Sequence, residues 1–321
     1  MKGLIKRAIV GAAIATRRRM DAGRATVLNY HRFPPEQKEQ LRAQFAYLKR
    51  RCNVISMKAL AACVRGEQEL PRHAVVITVD DGHRDFYTVA YPILRELALP
   101  ATMYLPTAFM DGAWLWFDRY QYIFRNAQAQ RAEIRGMAPL PDGAVELGSR
   151  EARDAAFYAA ARTAQWLTAV ERDALGERLG QVLRAPVLER PPEEYAPLTW
   201  DEAREMARNG MEFGGHTVNH PILETLKTEE TLASEIAGCK ARIEGELQSA
   251  VEHFAYPSGK AGEISAAAKA AVVQAGYKTA STTVVGQVQK GHDPYWLRRV
   301  GVDPSVDWLW FERCVAAVGV S

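Results

Sequence analysis

Val75-Val76-Ile77-Thr78-Val79-Asp80-Asp81-Gly82 is the stretch on which the reading of this chain turns. Branching at Cβ suits an extended backbone, so the first five residues predict a short buried strand. The strand ends in two adjacent carboxylates and a glycine. Asp-Asp-Gly is good turn chemistry. Neighbouring carboxylates behind a buried strand also repel each other and are costly to hold together without a cation. Both readings stay open at this point.

The elements around it alternate. Residues 26–30 read as a buried strand running into His31. Leu41, Phe45 and Leu48 give residues 36–51 a helical period. Phe86, Ala90, Leu94 and Leu97 predict a helix that Pro92 kinks or divides. Residues 101–105 form the next strand. Between about 110 and 195 the pattern changes. An aromatic cluster (Trp114, Trp116, Phe117, Tyr120, Tyr122, Phe124) leads into alanine- and arginine-rich sequence that ends among prolines. We read this as a mostly helical insertion rather than an independent domain.

Alternation then resumes. Thr199 with Glu202 makes a capping box for a helix that ends at Gly210. Residues 211–215 are strand-like. Leu232, Ile236, Ile243 and Leu247 line a helix. Residues 253–256, 278–283 and 296–302 read as strands, and 261–275 and 305–318 as helices. The order predicts an α/β fold with a largely parallel sheet, open or closed into a barrel. Residues 25–321 are expected to form a single domain.

Composition bounds the function. The chain has 321 residues, 48% hydrophobic and 25% charged, ordinary for a globular protein. No stretch reaches the ~18 apolar residues of a spanning helix. The net charge of +3 is uneven. Residues 1–24 hold seven basic side chains and one acid, leaving the body weakly acidic. That excludes a nucleic-acid enzyme with a broad basic face. In the arm, Leu4, Ile5, Ala8, Ile9 and Ala12 share one helical face beside basic residues. This suits contact with an anionic membrane surface, or a solvated arm. As an export signal the arm is poor, because its apolar run is short and Arg17-Arg18-Arg19 follows. Cys52, Cys63, Cys239 and Cys314 are scattered and form no CxxC, so they read as buried apolar residues and lean towards a reducing compartment. The expected location is cytoplasmic, with membrane association through the arm as one option and an uncleaved or weak export signal as the alternative.

In parallel α/β folds, sites lie beyond the carboxyl ends of strands. Three such ends carry polar groups: His31, Asp80-Asp81, and His216-Thr217-Val218-Asn219-His220. A spacing of four puts both imidazoles on one helical face, able to meet one ion; two surface histidines is the alternative. One carboxylate plus two imidazoles is a three-ligand set with a position open for water, as in catalytic zinc sites. The second carboxylate is then free to act as a base. His83 is expected at the rim.

Here the sequence resembles a known family. Thr78-Val79-Asp80-Asp81-Gly82 is similar to the TFDDG motif of the polysaccharide deacetylases (carbohydrate esterase family 4, NodB-like). His216-Thr217-Val218-Asn219-His220 resembles their HTxxH motif, and Phe254-Ala255-Tyr256-Pro257-Ser258-Gly259 their third motif. Tyr30-His31 resembles the N-terminal element of the branch containing the poly-N-acetylglucosamine deacetylases. The likeness covers roughly residues 26–105 and 198–302.

The resemblance implies a distorted (β/α) barrel and one divalent metal ion, commonly zinc, bound by Asp81, His216 and His220. It implies Asp80 as general base, His31 as general acid, and a backbone N–H near Ser258 facing the oxyanion. Arg299 resembles a family arginine near the active site, with Arg298 as the alternative. Tyr256, Ser258 and Trp116 are expected to contact substrate; Trp114 and Trp310 could stack on sugar faces, with core or insertion packing the favoured reading. The implied activity is hydrolytic deacetylation of an N-acetylated glycan. A non-catalytic carbohydrate-binding relative, or a hydrolase of another sugar amide such as a formamide, is the alternative. Two positions depart from the family pattern. Val79 stands in place of the usual Phe, and Ala255 stands where many members carry an Arg.

Overall fold

The structure, a computed structural model, describes residues 23–320. Most of the basic arm, and with it any membrane contact, lies outside the described residues. Its predicted end at residue 24 is too late, since Arg24 already opens the first strand and pairs with Gln289.

Seven strands form the body: β1 (Arg24–Tyr30), β2 (Ala74–Val79), β3 (Thr102–Leu105), β4 (Glu212–Gly215), β5 (His253–Ala255), β6 (Thr279–Val285) and β7 (Leu297–Gly301). Each pairs in parallel with the next, and β7 returns to β1, so the sheet closes. This is the expected distorted barrel, and closure removes the exposed sheet edges. Two short strands extend it, Asn53–Val54 beside β2 and Val288–Gln289 antiparallel to β1. Every residue of β2 is buried, as is β1 after Arg24, because side chains face either the barrel interior or the helices around it.

The surrounding helices are α1 (Lys38–Arg51), α2 (Met57–Arg65), α3 (Tyr91–Glu96), α4 (Thr107–Met110), α5 (Trp116–Arg125), α6 (Arg150–Ala164), α7 (Ala169–Leu183), α8 (Trp200–Arg208), α9 (Glu229–Leu247), α10 (Ala266–Gln274) and α11 (Trp308–Ala316). Leu41, Phe45 and Leu48 bury one face of α1, as their spacing predicts. The capping box of α8 forms as predicted. Pro92 does divide its helix: a π turn over Phe86–Ala90 runs into α3, and Pro92, lacking an N–H, sits in its first turn. Two helices begin later than predicted because caps fix their starts, Ser265 for α10 and Asp307 for α11. Helix α2 escapes the sequence reading, although Ser56 caps it and left-handed Gly66 closes it.

Helices α5, α6 and α7 belong to the insertion, together with an antiparallel hairpin of Arg131–Ile134 and Gly143–Glu146. The insertion is mostly helical, as expected, and the hairpin is a part of it that the sequence reading missed. Its exposed-buried alternation is too short to outweigh the alanine-rich surroundings. The insertion packs its own apolar cluster, which includes Ile123, Phe124, Phe157, Leu175, Leu179 and Leu183. Three of the four cysteines are buried, Cys52 is partly exposed, and none is in a disulfide. Among the described residues no helix is long and apolar enough to cross a membrane.

Candidate active site

Strand β4 delivers the two histidines, and glycines let it do so. A Cβ on Gly214 would stand 2.4 Å from the Tyr104 ring, and one on Gly215 would stand 2.1 Å from the Tyr277 hydroxyl. The chain after β4 is not helical, which corrects the expected geometry of the pair. Thr217 and His220 adopt left-handed conformations with φ of 67° and 53°. The Thr217 hydroxyl accepts the His220 N–H at 3.0 Å. Glu235, from α9, accepts the N–H groups of Val218 and Asn219, each at 2.8 Å. A tight, capped turn therefore brings together imidazoles that a helix would have stacked along its axis.

Three donor atoms converge. His216 Nε2 lies 3.2 Å from His220 Nε2 and 3.5 Å from Asp81 Oδ1, and His220 Nε2 lies 3.3 Å from Asp81 Oδ1. Ligands of a tetrahedral ion with bonds of about 2.0–2.1 Å are separated by roughly 3.3 Å. The three separations match one face of such a tetrahedron, so the residues present fit a divalent ion. His216 Nδ1–H donates to the Ala255 carbonyl at 2.7 Å, which fixes the ring and turns Nε2 inward.

Burial pushes Asp81 upward, but hydrogen bonds from both histidines outweigh it and hold its pKa well below the usual carboxylate value. Burial would lower His216; its contact with Asp81 and the charges of both aspartates raise it instead. His220 is lowered, since burial there outweighs Asp81 and the nearby His216 charge adds to it.

Asp80 sits beside this cluster and does a different job. Arg299 grips both its oxygens, at 2.7 and 2.8 Å. Strand alternation buries Arg299 and sends Arg298 outside, which decides between the two candidates. Arg299 also donates to the Thr282 carbonyl at 2.8 Å and to Asn29 Oδ1 at 2.9 Å, while Asn29 Nδ2 reaches Asp80 at 3.2 Å. Burial raises the Asp80 pKa, but the charges of Arg299 and His216 and the Arg299 hydrogen bonds outweigh it and leave the group below its ordinary value. His31 Nε2 stands 3.9 Å from Asp80 Oδ2 and is half exposed. Asn29 escapes the sequence reading; its only signal is a polar residue inside an apolar strand just before Tyr30-His31.

The sequence profile of the family described as polysaccharide deacetylase matches residues 67–138 and 155–280, more than half of the chain. The chain belongs to the polysaccharide deacetylase family. Among relatives, it is 39% identical over 71 residues to the poly-beta-1,6-N-acetyl-D-glucosamine N-deacetylase of Escherichia coli strain K12. That match takes in 22% of this chain and only 11% of the relative's length. The fold is similar to that of the Streptococcus pyogenes deacetylase PplD in complex with acetate, with a TM-score of 0.57 and 20% identity over 88% of this chain and 94% of that one. It is also similar to IcaB from Ammonifex degensii, with a TM-score of 0.58 and 17% identity over 92% and 97%.

In this member of the family the acidic and imidazole groups open on a cavity of about 280 Å³. His31, Asp80, Asp81, His216, His220 and Ser258 all line it, and the insertion supplies Trp116, Phe117 and Gln165. The Phe117 ring packs edge-on to His220, with centroids 5.4 Å apart. Arg172, fully buried, lies over the Trp116 ring at 5.2 Å. Ser258 sits in a left-handed conformation, φ 57°.

Two expectations fail, those for Tyr256 and His83, while Trp114 and Trp310 take the favoured packing role. Tyr256 does not line the cavity; it is buried, packs on Phe254 and donates its hydroxyl to the Tyr295 carbonyl. Trp114 donates its indole N–H to the Leu188 carbonyl, and Trp310 packs under Arg313, so neither lines the cavity. His83 is buried against Asp118 at 2.7 Å, not at the rim. Ala255 has no side-chain donor to offer Asp80, and Arg299 holds that carboxylate from β7 instead.

Proposed function

We propose that this chain hydrolyses the acetamide of N-acetylated sugars in a polysaccharide, lipid-linked glycan or precursor, releasing acetate and a free amine. One observation carries the reading: an arginine-held carboxylate and a three-donor cluster share one cavity with a half-exposed histidine. The donor set and its tetrahedral spacing support zinc. A zinc ion held by Asp81, His216 and His220 would polarise the acetyl carbonyl and make a bound water acidic.

Asp80 is the base. Its lowered pKa keeps it ionised at neutral pH, and Arg299 fixes its orientation, so it can take a proton from the attacking water. The Ser258 N–H is the donor assigned to the developing oxyanion, since Pro257 has none and the Gly259 N–H is taken by the Pro257 carbonyl. His31, on the open side of Asp80, delivers a proton to the leaving nitrogen, which departs as the amine. Trp116 offers an aromatic face to the sugar ring. The acidic body needs no charged substrate, and a neutral sugar fits its cavity. The basic arm is assigned to an anionic membrane surface; removing residues 2–22 should weaken vesicle binding and leave turnover of a soluble substrate unchanged.

The test is acetate release from N-acetylglucosamine oligomers and from lipid-linked glycans, with and without chelator, for wild type and Asp80→Asn. Chelator-insensitive release, or full activity in Asp80→Asn, overturns the mechanism. A wild type that binds no divalent metal and releases no acetate overturns the function.

A further inference from the structure

The loop carrying Asp80 and Asp81 is also the seat of the insertion. Gly82 turns the chain with φ +74°, and a Cβ there would meet Leu105 at 3.1 Å, so the loop packs closely on the end of β3. The Gly82 carbonyl accepts the Leu198 N–H at 2.9 Å, and the Arg84 N–H donates to the Ala196 carbonyl at 3.0 Å. His83 forms a bridge with Pro197 between them. The exit of the insertion is thus hydrogen-bonded to residues 82–84.

Near its entrance, a buried polar side-chain contact meets the same loop. His83 Nε2 and Asp118 Oδ2 are 2.7 Å apart, with side chains only 2% and 6% exposed. Asp118 lies in the first turn of α5, next to Phe117 and two residues from Trp116, the cavity wall. A carboxylate oxygen accepts, so Nε2 carries the hydrogen. Neither group has solvent to turn to, and an unpaired buried donor is expensive. Helix α5 therefore cannot slide or tilt at this end without breaking a buried, charge-assisted hydrogen bond.

We infer that His83 and Asp118 are positioning residues. Their contact holds Trp116 and Phe117 in register with the Asp80-Asp81 loop, so sugar binding depends on a pair that touches neither sugar nor reacting atoms. This rests on the reading of the cavity as a site for N-acetylated sugar. Asp118→Asn keeps an oxygen that accepts from His83, and Asp118→Ala does not.

The experiment uses the full chain and an N-acetylglucosamine tetramer, measuring kcat and KM by acetate release and amide hydrogen exchange over residues 114–124. Asp118→Ala is expected to raise KM about tenfold with kcat within about twofold, and to speed exchange in the first turn of α5. Asp118→Asn should restore both readouts most of the way. His83→Ala and His83→Gln form a second pair with the same expectation.

Unchanged KM and exchange in the alanine variants would overturn the inference, as would a fall in kcat alone or an asparagine variant as impaired as alanine. Failure of both alanine variants to fold would make the pair a fold requirement and also overturn it. If the wild type releases no acetate, the sugar reading falls, and the exchange comparison alone decides whether the pair places α5.

Discussion

The mouth of the barrel and the insertion solve opposite problems. At the mouth, an acid and a base are buried together: Asp80 and Arg299 are 2% and 1% exposed and joined by two hydrogen bonds. Such groups hold only if every partner is fixed, and a closed parallel sheet fixes them, with β1, β2, β6 and β7 each lending an atom. The insertion instead packs alanines, leucines and aromatics, and many of its ion pairs, such as Arg131 with Glu146, lie open to water. Pairs of that kind contribute about 0–1 kcal/mol each. On the proposed function the reacting groups thus sit on the barrel, and part of the cavity wall comes from the insertion. Substitutions at the mouth should strike kcat and stability, and those in the insertion should strike KM.

The largest effect tests the mouth. Asp80→Asn keeps the volume and removes the base, so kcat should fall about 10²–10⁴-fold. Metal content, measured on the purified protein, should stay unchanged.

If the proposed metal is bound, a chelator should abolish turnover and a divalent ion should restore it. Metal affinity, followed by titration, should weaken as pH falls. His216 is raised above its ordinary value, so protons compete for its ring at higher pH than they would for a free imidazole.

Arg299→Met leaves Asp80 buried without its cation. Chemical denaturation should show a loss of about 3–5 kcal/mol. The stability that the depressed Asp80 pKa contributes is fully present above the ordinary carboxylate value and is lost as pH falls through the lowered one. Without Arg299, burial raises the pKa, so the acid limb of the pH–rate profile should move upward.

The smallest effect tests the wall. Trp116→Ala should raise KM roughly tenfold with little change in kcat, because in the proposed function this ring of the cavity wall faces sugar and not the reacting amide. A large fall in kcat instead would break the division between the two regions.

Much of the barrel was legible because its signals are local. The run 75–79, the capping box at Thr199 and the spacing of Leu41, Phe45 and Leu48 each act within a few residues. The Asp80-Asp81 and His216-His220 sets were legible for a related reason, since strand ends present consecutive residues to one site. The hairpin in the insertion and helix α2 were not, because tertiary packing decided them against weak or mixed local preference. Tyr256 was misplaced because a motif gives a position in the chain, whereas strand alternation and the Tyr295 carbonyl decide which way the ring points.

By itself, the sequence determined the alternating architecture, the residues able to hold a divalent ion and a base beside them. Those follow from residue type and spacing. Only the tertiary structure decided that Arg299 and not Arg298 holds Asp80, and that Asn29 joins them. It also decided that His83 reaches 35 residues along the chain to Asp118 and that the insertion walls the cavity. Each of these joins groups far apart in sequence, and nothing local records which distant partner closure of the barrel will bring within hydrogen-bond reach.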